Sequence, residues 1–125
     1  MRYVFALIVA ALWSGAAFGQ HAHGDQKGPN GGPMHDVAGV HAELLTSGNT
    51  LIINIFDEGN KPVATAGFSA SVLVVLGTER ETLTLMPSGA NTLKGDLKRP
   101  AAKGAAITIT LKTIGGKSGQ AKFKL

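Results

Sequence analysis

"LIINIFDEGNKPVATAG", residues 51–67, decides the fold class. Its first six residues alternate: Leu51, Ile53 and Ile55 share one face of an extended chain, and Ile52, Asn54 and Phe56 share the other. Apolar side chains on both faces predict a strand near the middle of a sheet, covered from two sides. "DEGNKP" then supplies turn chemistry through Asp57, Gly59, Asn60 and Pro62, so the strand must stop there.

The same period recurs on both sides of this stretch. Upstream, "VHAELL" meets "TLIINIF" across Ser47-Gly48-Asn49, a short glycine-containing hairpin connection. Downstream, "FSASVLVVLG" and "ETLTLMP" form a second hairpin through Gly77-Thr78-Glu79-Arg80. "NTLKGDL", "AAITITLK" and "QAKFKL" follow, separated by loops rich in glycine, proline and lysine. Ile107, Ile109 and Leu111 alternate with Thr108, Thr110 and Lys112, which predicts one buried and one wet face. No segment carries a sustained helical period.

About seven short strands separated by turns predict an all-β, antiparallel β-sandwich of immunoglobulin-like type, with a small barrel as the alternative. The expected core comes from Leu44, Ile53, Ile55, Phe68, Val72, Val74, Leu83, Leu85, Ile109 and Phe123. The domain is expected over residues 37–125, preceded by a flexible His/Gly/Pro-rich leader over 20–36.

The first nineteen residues predict export. Arg2 precedes an apolar run from about Val4 to Trp13, and small residues then lead to a small-x-small cut site after Gly19. A membrane anchor is the alternative, but a spanning helix needs roughly 20 apolar residues and Ser14 and Gly15 interrupt this run. The chain contains no cysteine, which excludes disulfides, lipid-modified cysteine and thiolate ligands. Export of this kind fits the periplasm, with secretion as the alternative. The formal net charge is +4. The lysines are spread singly and aromatics are few, so a nucleic-acid role is not expected.

Several of these segments carry a resemblance. "GPNGG", "VHAELL", "NIFDEGNKPV", "TLMPSGANTLKGDL" and the C-terminal "AKFKL" resemble small exported bacterial proteins. They also resemble a β-rich accessory domain of periplasmic heavy-metal efflux adaptor subunits. In that group a Gly-Pro-(His or Asn)-Gly-Gly element precedes a His-x-Glu-Leu strand, and a Lys-Pro turn follows the next strand. The likeness spans about residues 23–125, and its motifs are short and mostly structural. Asn30 stands where many relatives carry histidine, which removes one possible ligand. The resemblance implies a β-rich exported domain and names a periplasmic efflux adaptor or a membrane transporter as the expected partner.

All four histidines fall between residues 21 and 41. His21 and His23 lie on one side of an extended chain, roughly 7 Å apart at Cα, close enough to share an ion. Imidazole suits copper, zinc and nickel. Met34 adds a soft thioether beside His35. On the following strand His41 and Glu43 point to one face, as a metal-binding pair or as ordinary sheet-edge hydrogen bonding. His35 and His41 can converge only where the chain folds back, around Gly39. The expected metal set is therefore His21, His23, Met34, His35, His41 and Glu43, for copper or zinc.

Gly28-Pro29-Asn30-Gly31-Gly32-Pro33 reads as a turn. It lacks the lysine and Ser/Thr of a phosphate loop. Asp57 and Glu58 are neighbours in a turn, and no serine or threonine has an evident base, so catalysis is not expected. Three functions remain: a periplasmic metal buffer or chaperone for copper or zinc, a non-catalytic interaction module for an envelope or efflux partner, and, last, a small hydrolase.

Overall fold

The computed structural model describes residues 26–125. They form eight strands: β1 (Met34–Val37), β2 (Val40–Ser47), β3 (Thr50–Phe56), β4 (Ser69–Leu76), β5 (Glu79–Pro87), β6 (Thr92–Asp96), β7 (Ala106–Lys112) and β8 (Ser118–Lys124). Every ladder is antiparallel. The hydrogen-bonded order is β1-β2-β3-β6-β5-β4-β7-β8.

That order folds over at β5 into two layers. Residues 79–85 zip along β4, with Val75 opposite Arg80 and Ala70 opposite Leu85. Met86 and Pro87 then pair with Lys94 and Leu93 of β6, in the other layer. Strands that change sheets turn such corners in two-layer packings. Gly95 makes the crossing possible. A Cβ there would lie 2.7 Å from Leu85 Cδ2 and 3.1 Å from the Thr84 carbonyl, so β5 passes where only a bare Cα fits.

One layer is β1-β2-β3-β6 and the other β5-β4-β7-β8. Lettering β2 to β8 as the seven strands of the immunoglobulin-like sandwich gives A-B-E against C′-C-F-G. The chain is an antiparallel β-sandwich of that type with β1 added at the edge. β1 and β8 end the strand order and share no ladder, so the sheet does not close into a barrel. They are packed together all the same: the His35 ring meets Phe123 edge-on at 4.6 Å, and a Cβ on Gly119 would lie 2.9 Å from the Ala38 amide.

The core fills the space between the layers. Leu44, Leu51, Ile53, Ile55, Leu85, Ile107, Ile109 and Leu111 are all buried, each stabilising the fold by about 1.5–3 kcal/mol relative to exposure. Of the expected core only Leu83 is partly exposed. β3 lies between β2 and β6, as its two apolar faces require.

The N-terminal boundary differs from the expected one. Residues 26–36, read from sequence as part of a flexible leader, are tied into the sheet. The Leu44 amide donates to the Pro33 carbonyl at 2.9 Å, and the Met34 amide to the Gln26 carbonyl at 2.8 Å. β1 is the strand added to the expected seven. It turns into β2 through Ala38 and Gly39, both left-handed with φ of 52° and 83°. Residues 20–25 of the expected leader, and the expected signal segment over 1–19, lie outside the described residues.

Candidate functional site

Strand register decides which candidate ligands meet. In an antiparallel pair, residues directly opposite share a face. Met34 lies opposite Glu43, and Asp36 opposite His41. These four therefore occupy the outer face of the β1–β2 ribbon on alternate rungs, with the His35–Ala42 rung between them. His35 lies opposite Ala42 and so faces the other way, against the core side of β8. The chain does fold back at Gly39, yet His35 and His41 come out on opposite faces.

Glu43 is wholly buried. It sits between the core residues Ala42 and Leu44, on the side that alternation alone would leave wet. The loop over residues 28–32 covers it. Asn30 donates twice, from its backbone amide to Oε2 and from Nδ2 to Oε1, both at 2.8 Å. The Gly32 amide donates to Oε2 at 3.0 Å. A buried carboxylate needs such donors in place of water.

The glycines of this loop follow from the close approach. A Cβ on Gly28 would collide with the Glu43 carboxyl group, and one on Gly32 with the Leu44 carbonyl. Internal bonds close the loop, from Gly31 N to Gly28 O at 2.9 Å and from Gly28 N to Gly32 O at 2.7 Å. Gly-Pro-Asn-Gly-Gly is thus a receptor for one carboxylate. The polar rung continues across the sheet, since Glu43 lies opposite Asn54 and Asn54 opposite Thr92, whose hydroxyl donates to Asn54 Oδ1 at 2.9 Å.

The other candidates have their own partners. His41 Nε2 lies 3.1 Å from Asp36 Oδ1, and its Nδ1 is buried without a hydrogen bond. His35 packs on Phe123, and Met34 is buried. Among the described residues no group of three or more His, Asp or Glu is placed to hold a metal ion. His21 and His23 lie outside the described residues. Asp57 is spent on its own turn, where Oδ1 accepts from the amides of Gly59 and Lys61 at 2.9 Å each.

Sequence reasoning missed two things here. From sequence Asn30 reads as a turn residue standing where a histidine ligand is lost, whereas in the fold it is the main partner of Glu43. The available signal was a carboxylate inside the apolar run "HAELL", which demands a donor from elsewhere in the chain. The second is a groove at one end of the sandwich, about 590 Å³ in volume, between the β4–β5 turn and the segment joining β6 to β7. Val74, Leu76, Leu97 and Ala105 give it an apolar floor, and Glu79, Arg80, Lys98 and Arg99 a charged rim. Arg99 Nη1 pairs with Glu79 Oε1 at 2.8 Å, and the Lys98 amide donates to the Glu81 carboxylate at 3.0 Å.

No protein-family model matches this chain, and no curated protein does. Among solved structures it is similar to the chicken interferon gamma receptor alpha chain, at 12% identity and a TM-score of 0.41. The similarity covers 69% of this chain and 50% of the receptor chain, so this chain spans about half the length of that structure.

Proposed function

We propose that the chain is an exported, non-catalytic interaction module of the bacterial envelope. It docks a periplasmic efflux adaptor or a membrane transporter through the groove at the β4–β5 end of the sandwich. The observation that supports this reading is the groove itself. Its floor offers apolar area, with Leu76 39% exposed, while its rim sets orientation by charge. A partner's apolar side chain seated there would be ringed by Arg80, Lys98 and the Glu79–Arg99 pair.

The test is photo-crosslinking in living cells. A photoreactive residue at position 102 of the full-length chain, on the groove wall, should give one discrete adduct with an envelope protein. The adduct should disappear when Leu76→Asp is added. A ladder of adducts matching that from a probe at position 115, far from the groove, would overturn the reading.

The second reading is a periplasmic buffer or chaperone for copper or zinc. The His21-x-His23 spacing favours it. Because Glu43, His41, His35 and Met34 are each engaged within the fold, this reading places the ion on the two leader histidines.

A further inference from the structure

The outer face of the β5-β4-β7-β8 layer is a regular grid of hydroxyls bordered by cations. Register sets its rows. Thr84, Ser71, Thr110 and Gln120 form one, and Thr82, Leu73, Thr108 and Lys122 the next. Arg80, Val75, Ala106 and Lys124 form a third, and Ser69 lies opposite Lys112 and Lys112 opposite Ser118. All four cations on this face are exposed, and no aspartate or glutamate side chain shares it. The acids just beyond its borders are occupied, Asp36 by His41 and Glu79 by Arg99.

Residues 26–125 contain eleven Lys and Arg against seven Asp and Glu. The four cations of this face leave seven cations and seven acids everywhere else. Formal charges elsewhere among the described residues therefore sum to zero, and this sheet face carries an unbalanced positive charge that attracts anions over about a Debye length.

We propose that this face binds an acidic polysaccharide, a carboxylated or sulfated sugar polymer of the cell exterior. Hydroxyls spaced about 5 Å across strands and about 7 Å along them both donate and accept, as sugar hydroxyls require. Gln120 Nε2 already engages Thr110 Oγ1 at 3.3 Å, which orients that row. Lys112, Lys122, Lys124 and Arg80 meet the polymer's anions. A nucleic acid would want aromatic platforms, and this face has none. A lipid surface would want a cluster of projecting apolar side chains, whereas Leu73 and Val75 are half-buried and the exposed Met86 stands alone at the border, where β5 leaves this layer to pair with Lys94. This face meets the docking groove only at Arg80, which lines both, and Lys112, Lys122 and Lys124 lie outside the groove.

The probe is an alginate oligouronate, titrated into the mature protein at low and physiological salt. The triple variant Lys112→Gln/Lys122→Gln/Lys124→Gln should lose at least tenfold in affinity. Lys61→Gln/Lys94→Gln/Lys103→Gln, which carries the same net charge, should lose less than twofold. Ser71→Val/Thr110→Val should cost about threefold or more at unchanged charge. Equal losses from the two lysine triples would overturn the proposal by reducing it to net charge. Insensitivity to the hydroxyl pair would overturn the sugar assignment. Tighter binding to phosphatidylglycerol vesicles than to the oligouronate would replace it with a membrane. Melting temperatures of all three variants separate lost binding from lost folding.

Discussion

Asn30 and Glu43 meet in a two-point contact, with the Asn30 backbone amide on one carboxylate oxygen and its side-chain amide on the other, each at 2.8 Å. The pair joins residues thirteen apart and fastens the N-terminal loop to the outer face of the first sheet. Removing each side of it has a different cost. Glu43→Ala strands three donors, those of Asn30 and the buried Gly32 amide, and should destabilise the domain by roughly 3 kcal/mol. Asn30→Ala removes only the side-chain donor and should cost about 1.5 kcal/mol. Asn30→Asp sets a second carboxylate against the first and should fall between them. Urea unfolding gives the order, and a Glu43→Ala variant within about 0.5 kcal/mol of wild type would show that the contact carries no stability.

The sheet corner depends on a missing side chain. Gly95→Val places two methyl groups where Leu83, Leu85 and the Thr84 carbonyl already stand. Overpacking of this kind costs about 1–3 kcal/mol, or roughly 5–15 °C in a domain of this size. Gly115, which has open space and no left-handed φ, is the matched control, and Gly115→Val should shift the melting temperature far less. Equal shifts at the two positions would mean that β5 can move aside.

Ala38 occupies a left-handed position, φ 52°, immediately before Gly39 at 83°. Two consecutive left-handed residues make a turn that favours Asn-Gly, and an alanine there carries a steric cost of about 1–2 kcal/mol. Ala38→Asn should therefore raise stability by about 0.5–1 kcal/mol in denaturant melts. A loss instead would mean that the Ala38 methyl, which packs against the core, contributes more than the turn geometry costs.

How much of this was legible in the sequence follows from where each signal resides. Strands such as 51–56 and 107–112 announce themselves because their alternation spans several residues and is bounded by turn chemistry. β1 does not. Met34-His35-Asp36-Val37 is too short to alternate visibly and follows a glycine–proline run; it is extended because β2 lies beside it. Sequence spacing did place His41 and Glu43 on one face. It gave no sign that the loop thirteen residues upstream covers Glu43, nor that register sends His35 to the opposite face from His41. Those facts belong to pairing between segments, which no local pattern encodes.

Copper affinity and fold stability should respond to different histidine pairs. His35 and His41 have places in the sandwich, and His21 and His23 lie outside the described residues. With the expected cut after Gly19, His21 is the second residue and His23 the fourth, near a free terminal amine. Copper(II) favours tetragonal nitrogen ligation, which an amine and neighbouring imidazoles supply. His21→Ala/His23→Ala should weaken Cu(II) binding by tenfold or more, on the order of 1.4 kcal/mol, and leave the melting temperature unchanged. His35→Ala/His41→Ala should do the reverse. It removes the ring on Phe123 and the partner of Asp36, so stability should fall by about 1 kcal/mol or more while copper affinity holds. Calorimetric titration and thermal melts on the same four proteins, wild type, the two doubles and the quadruple, resolve the two effects. If affinity follows His35 and His41 while the leader pair is silent, the metal belongs to the folded domain and the ion must reorganise the Asp36–His41 pair to enter it.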